Sequence, residues 1–471
     1  MEQRRRRVVH NGCGDQHRLI DRISILSDDI LLSIMCHLTF REVVAASILS
    51  LRWRYLWTFS RTLDFDGLQS LVKLVFSVGK LSLNLDKARL NYVTWVDRAI
   101  VSHKESTIDE LRVFFNLSRT YTSSIDKWLR FALAKKVQRL ELNLTDNACF
   151  KSRTYNECYD FPYELLFCNS GADFKYLKRL SLNYVNVNGE ALEFILRICP
   201  LLEDLSVAQS GELKILKITG PLPSLKRVGI YLCHKLQSFQ IRDVNIVHLT
   251  YYGSSVRFFL ENVPLLVDAC IGGLITEHRE VVLQLLSTYL PKLERLKLDI
   301  LNVHCWAVRL QYLFFHPKLF YSNVKMSSLK QLVVNVGVTG GYSLLQLANL
   351  ICMSPFLQSF VLKAYRGEPK FVKRKMEKVV SLYPHLKELK FEGYCGEVSD
   401  LEFIMHFMEN AALLQNIVID PRKPWSSTYQ QAFRYNGAFR HEIIKEEEEA
   451  RSRAAEQLTH KVPRNIYFEI L

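Results

Sequence analysis

The 471-residue sequence has no uninterrupted apolar run near the roughly 18 residues that a membrane span requires. Its beginning carries Arg4 to Arg7 followed by only Val8 and Val9, which is not the pattern of a secretory signal. The expectation is a chain that neither crosses a membrane nor enters the secretory route. Eleven cysteines lie scattered from Cys13 to Cys395 with no C-x-x-C pair, many of them inside apolar segments. That usage belongs to a reducing compartment, the nucleus or cytoplasm, where thiols serve as small core residues. There the sequons at Asn116 and Asn143 stay unmodified.

Catalytic signatures are missing too. None of G-x-x-x-x-G-K-[ST], G-x-S-x-G, H-E-x-x-H or G-x-G-x-x-G occurs, so neither an enzyme centre nor a cofactor is expected. Cys233 beside His234 and His304 beside Cys305 have no further ligands at zinc-site spacing. Cys149, Cys158 and Cys168 are spaced too widely for a local metal knuckle. Glu446 to Glu449 read as the opening of a helix through Leu458, where acids favour the positive end of the dipole.

What is present is an ordinary globular composition, 48% hydrophobic and 23% charged. The formal charge of +14 suits an acidic partner or a solvated basic surface. Residues 1–17 show no hydrophobic period and read as a mobile basic arm. From Arg18 to about Ser60 the period is helical: Ile30, Ile34 and Leu38 lie four apart, with Leu31 and Met35 beside them. Thr39 and Glu42 form a capping box that starts a second helix. The stretch "SILSLRWRYLW", Ser47 to Trp57, supplies a third, with Leu49, Trp53, Leu56 and Trp57 on one face.

Beyond residue 100 a unit recurs: apolar, two variable, apolar, one variable, apolar. It runs from Ile108, Leu111, Val113 through Leu225, Val228, Ile230 to Leu414, Ile417, Ile419. The spacing of most units is that of leucine-rich repeats. Lead-ins such as "CPLLEDLSV", "LPKLERLKL" and "YPHLKELKF" place a proline where the preceding helix must stop. Intervening segments such as "NGEALEFILRIC" are helical, so each repeat reads as a strand followed by a helix, stacked into one core.

Two parts of this pattern resemble a known family, the plant F-box proteins with leucine-rich repeats and a C-terminal FBD segment. "DRISILSDDILLSIMCHLTFREVVAASILSLRWRYLW", Asp21 to Trp57, is similar to the family's F-box, and Tyr383 to Pro421 resembles the FBD segment. Ser27 departs from the family, which usually has proline there, and Leu51 stands where lysine is common. The resemblance implies an α/β fold: a three-helix F-box over 18–60, a solenoid over 61–382 and an FBD segment with a C-terminal cap over 383–471. The solenoid would carry parallel strands on its concave side and helices outside.

It further implies a non-catalytic substrate receptor of a Skp-cullin-F-box ubiquitin ligase. Leu26, Ser27, Ile30, Leu31, Ile34 and Leu38 would meet the Skp-type adaptor, and through it a cullin, while the repeats hold a protein substrate. The alternative is a repeat scaffold that binds an acidic protein or nucleic acid with no ubiquitin role. Residues alternating with the buried ones carry as many acids as cations, which argues for a protein partner over a nucleic-acid groove. Among them Arg227, Tyr231, His248 and Tyr252 of the middle repeats are the expected heart of the substrate site.

Overall fold

The computed structural model describes residues 25–35, 38, 40–46, 53–68, 70–71, 81–145, 157–162, 174–254, 256–273, 292–300, 325–338, 343–366, 382–424 and 437–471. The expected arm over 1–17 and the Thr39 cap lie outside the described residues.

The repeating unit folds as a short strand because its apolar residues alternate. In Arg227–Tyr231, Val228 and Ile230 turn inward while Arg227 and Tyr231 turn out. Among the described residues fourteen such strands, from Thr62–Asp66 to Tyr467–Ile470, pair in parallel in one sheet. Pairing is in register, so equivalent residues stack: Leu111, Leu140, Leu180, Leu205 and Val228 form one buried row. Every unit read from Ile108 onward is a strand of this sheet, and the C-terminal residues pair with Asn416–Asp420 as its last member. Thr62–Asp66 escaped the pattern because Ser60 stands where the unit's first apolar residue belongs.

Among the described residues six helices follow the three of the F-box: Leu81–Ser102, Thr122–Ala134, Gly189–Ile198, Ala348–Cys352, Val398–Asn410 and Gly437–Leu458. Gly189–Ile198 shows how they form. Asn188 caps its first turn by accepting from the Ala191 amide at 2.8 Å, and Leu192, Ile195 and Leu196 cover the strands.

Two expectations need correction. Helices do not line the outside throughout, because Ile215–Thr219, Ser238–Arg242 and Arg257–Glu261 form a second, three-stranded parallel sheet. Main-sheet strands here begin at residues 204, 227, 248 and 268, closer together than the strands at 179 and 204 that Gly189–Ile198 connects. The connectors instead repeat the strand code, with Leu213, Leu216, Ile218 and Leu236, Phe239, Ile241 all buried. The four acids Glu446 to Glu449 sit in the middle of Gly437–Leu458 rather than at its start, so the dipole gives them no special stabilisation.

The F-box region comprises α1 (Asp28–Met35), α2 (Phe40–Ala46) and α3 (Trp53–Leu56). Its own core is small: Leu31, Met35, Val43, Ala46, Trp53 and Leu56. A core of this size needs support from a neighbour. Trp57 packs against both this cluster and the solenoid core, and Val44 of α2 packs on the solenoid core. Polar contacts reinforce the joint: the Lys104 amide donates to the Thr58 carbonyl at 2.8 Å, and His103 Nε2 meets the Ser60 carbonyl at 2.9 Å. The Lys104 ammonium lies 5.7 and 6.0 Å from the ring centroids of Tyr55 and Phe59. The aromatic residues of the opening helices therefore bind the F-box to the first repeat.

Leu296 tests whether the core runs unbroken through the later repeats, since it is buried between Ala269 and Leu332 on adjacent strands. Leu296→Ala is expected to lower unfolding free energy by about 2 to 5 kcal/mol in denaturant titration. A loss under about 1 kcal/mol would mean that the site collapses without cost and that the row is not continuous.

Candidate binding faces

Two faces present side chains that the cores do not use. On α1 the helical period separates two stripes: Leu31 and Met35 point into the F-box core, while Ile30 and Ile34 remain 48% and 39% exposed. Leu38, 38% exposed, extends the outer stripe, and Ile25, which the sequence reading passed over, adds a 69% exposed side chain ahead of the helix. Ser27 is exposed and its carbonyl accepts from the Leu31 amide at 3.0 Å. Leu26 is half-buried against the F-box core. The expectation for Leu31 is corrected: it is fully buried and can only support the surface from behind.

The second face is the open side of the main sheet, where register arranges outward residues in three rows. The row at the start of the strands is a ladder of charges. Arg139 meets Glu110 at 3.1 Å, Arg179 and Arg227 both meet Asp204 Oδ2 at 3.2 and 3.0 Å, and His248 and Arg295 both meet Asp268 Oδ2 at 3.3 and 2.9 Å. The middle row begins with Asp64, Arg112 and Glu141, where one guanidinium serves three carboxylates, Asp66 included. It continues with the small residues Ser181, Ser206, Gly229, Thr250 and Cys270. The third row carries Tyr231 and Tyr252 on neighbouring strands.

Between these rows lies a hollow of about 320 Å³, and Arg227, Tyr231 and His248 all line it. Tyr231 reaches back over Gly229, where a β-carbon would come within 2.7 Å of its ring. His248 Nε2 lies 2.9 Å from Thr250 Oγ1, and Thr250 in turn bonds the Tyr231 hydroxyl. Burial pushes that phenol above its ordinary value. Tyr252 does not join them: it leans the other way, over Gly272 beside Asp299. Its hydroxyl is pushed well up, first by burial and then by the Asp299 charge. The sequence reading thus brought three of its four residues to one place. It placed Arg179 and Asp204 on the same face but outside this group, and it passed over the floor residues, although a run of small side chains at one phase of consecutive units was the available signal.

Several carboxylates on this face are tuned by their partners. Burial alone would raise Asp268, but hydrogen bonds from His248 and Arg295 outweigh it and hold the carboxyl below its ordinary value. Glu392 is likewise opposed by burial and lowered by Lys363 and Lys390, at 2.7 and 2.9 Å. Asp420 is lowered by a two-point contact from Arg422, both bonds at 2.8 Å, again against burial. Asp64 runs the other way, with burial raising it despite Arg112.

The fold and these faces define a leucine-rich-repeat protein joined to an F-box. A family model for the F-box domain matches residues 23–63, and one for the leucine-rich-repeat domain of the At1g61320/AtMIF1 type matches residues 170–471. The chain belongs to this family of plant F-box proteins with leucine-rich repeats. It is similar to three proteins of Arabidopsis thaliana. The F-box/FBD/LRR-repeat protein At4g26340 is 26% identical over 85% of this chain and 93% of its own length. The F-box/LRR-repeat protein At3g26922 is 27% identical over 60% of this chain and 91% of its own. The F-box/FBD/LRR-repeat protein At4g00160 is 27% identical over 61% of this chain, and the match spans only 62% of that relative's length. No described helix is long and apolar enough to cross a membrane.

The lowered carboxylates fix the sign of an acid response. A carboxyl whose folded pKa lies below its unfolded value stabilises the fold above the unfolded pKa, and that contribution is lost as pH falls through the folded one. Melting temperature should therefore decline on acidification below about pH 4, with Asp268, Glu392 and Asp420 contributing to the loss and Asp64 opposing it. Asp268→Asn should flatten part of that decline while lowering stability at neutral pH. An identical acid slope in wild type and variant would rule out Asp268 as a contributor.

Proposed function

We propose that the protein is the substrate-recognition subunit of a Skp-cullin-F-box ubiquitin ligase. The observation that carries this reading is the outer stripe of α1, where Ile25, Ile30, Ile34 and Leu38 stay exposed although a larger core lies next to them. Apolar side chains held outside both cores on a domain this small are suited to a partner. The Skp-type adaptor, and through it a cullin, is that partner. The open face of the solenoid holds a protein destined for ubiquitination, with Arg227, Tyr231 and His248 at its centre and Tyr252 on its flank. The receptor contributes no catalytic residue; it raises the effective concentration of the captured protein near a recruited conjugating enzyme. The compartment is nuclear or cytoplasmic.

A scaffold without ubiquitin role is separated from this reading by the adaptor. Replacing Ile30 and Ile34 together by glutamate should abolish co-purification with a Skp-type adaptor and leave the melting temperature of the solenoid unchanged. Retained adaptor in the double variant would sink the proposal. For the open face, proximity labelling with wild type and with Tyr231→Ala, Tyr252→Ala should recover the adaptor from both and lose a class of captured proteins only from the variant. Identical captured sets would move the substrate site off these strands.

A further inference from the structure

The hollow has a chemistry that protein binding by itself does not specify. Its floor is Ser181, Ser206, Gly229 and Thr250, the middle residues of four consecutive strands. None of these four carries a charge, and the glycine leaves the sheet at its lowest point; Glu141, next to Ser181 in the same row, also lines the hollow and is engaged by Arg112 at 3.4 Å. On the rim Arg227 donates through Nε to Asp204 Oδ2 at 3.0 Å, and Arg179 Nε forms an ion pair with the same atom at 3.2 Å. Two guanidinium groups from strands on either side of Asp204 are thereby drawn together, and their side chains are still 50% and 45% exposed. Among the described residues neither arginine meets a second carboxylate, so this node carries one cation in excess. The terminal nitrogens of both, and the hydroxyls of Ser181 and Ser206, make no hydrogen bond to a described residue.

We propose that this hollow seats an oxyanion-bearing side chain of the bound protein, a carboxylate or a phosphoryl group, between Arg179 and Arg227 and above Ser181 and Ser206. The guanidinium fork matches such oxygens in geometry, and two of them on one carboxylate leave four terminal nitrogens without a partner among the described residues. A cationic side chain would find the acids of the hollow already engaged, Asp204 by both arginines and Glu141 by Arg112. A nucleic-acid strand would need an unbroken row of cations, whereas Asp204 and Asp268 interrupt this one. A volume of about 320 Å³ lies at the small end of ligand pockets and suits one side chain with its flanking backbone. The inference rests on the reading of the open face as a protein-binding surface, yet its chemistry can be tested without any substrate.

The experiment uses the full chain and simple probes: melting curves in sodium phosphate, sodium acetate and sodium chloride at matched ionic strength. Wild type is compared with Arg179→Gln, Arg227→Gln. Bound anion stabilises the native state by mass action, so tens of millimolar phosphate should raise the wild-type Tm by about 1–2 °C over chloride. The double variant should show no such gain. A response to phosphate alone assigns a phosphoryl group, and a response to acetate as well assigns a carboxylate. Ser206→Asp provides an independent arm, since it supplies the oxyanion in place: it should melt higher than wild type in chloride and lose the phosphate response. No gain in wild type, or an equal gain in the double variant, overturns the proposal. That failure would be distinct from failure of the receptor reading, which the adaptor and capture experiments decide without reference to anions.

Discussion

Parallel strands in register impose one requirement on this chain: each must deliver two apolar side chains to the same two buried rows. Leu63, Leu111, Leu140, Leu180, Leu205, Val228, Leu249, Ala269, Leu296 and Leu332 meet it in one row, with Phe360, Leu389, Ile417 and Phe468 completing it. A slip of one residue on any strand would turn its whole apolar set outward. The turns preserve the register. Tyr184, Gln209 and Leu232 each follow a strand with positive φ, and their amides extend the ladder to Ala208, Tyr231 and Tyr252. A left-handed residue other than glycine is costly on its own. Its recurrence at one phase of the repeat marks it as part of the fold, and Gly273 and Gly393 fill the equivalent places without that cost.

The same register that builds the core organises the open face. Outward residues have fixed neighbours on adjacent strands, so many charges are paired within the sheet before any partner arrives. Asp204 and Asp268 each serve two cations, and Arg112 serves three carboxylates. The formal charge of +14 is therefore a poor guide to this surface. Exposed pairs of this kind add little stability. Their consequence lies in position, because each shared carboxylate holds its cations at a set place and leaves specific nitrogens unused.

Much of this could be read from the chain. The apolar spacing identified the main-sheet strands from Ile108 onward because periodicity depends on burial alone. The second sheet was equally legible in Leu213, Leu216, Ile218 and Leu236, Phe239, Ile241, but the assumption of a helix after every strand hid it. The site was legible only to the level of a face. Arg227, Tyr231 and His248 were placed on the open face because alternation predicts which way they point. The departure of Tyr252 toward Gly272, and the convergence of two arginines on Asp204, depend on what stands across the strands. Sequence spacing does not carry that. Leu31 failed for a related reason: Ile30 and Leu31 are both apolar, and only the packing of α2 and α3 decides which of them faces in.

The joint between F-box and solenoid links these levels to function. Trp57 packs against both cores, and the chain passes from α3 through Thr58 and Ser60 directly into Thr62–Asp66, the first strand of the sheet. Thr58 and Ser60 receive bonds from Lys104 and His103, at the end of Leu81–Ser102. His103 is held below its ordinary pKa, chiefly by burial, and since the Ser60 carbonyl can only accept, Nε2 is the ring nitrogen that carries the donated proton. No flexible linker intervenes along this path. A receptor that delivers a captured protein to a conjugating enzyme works through distance and orientation, and a tether of loose residues would spread both. By making the F-box an extension of the repeat core, the sequence sets the stripe on α1 and the hollow over Gly229 in one frame.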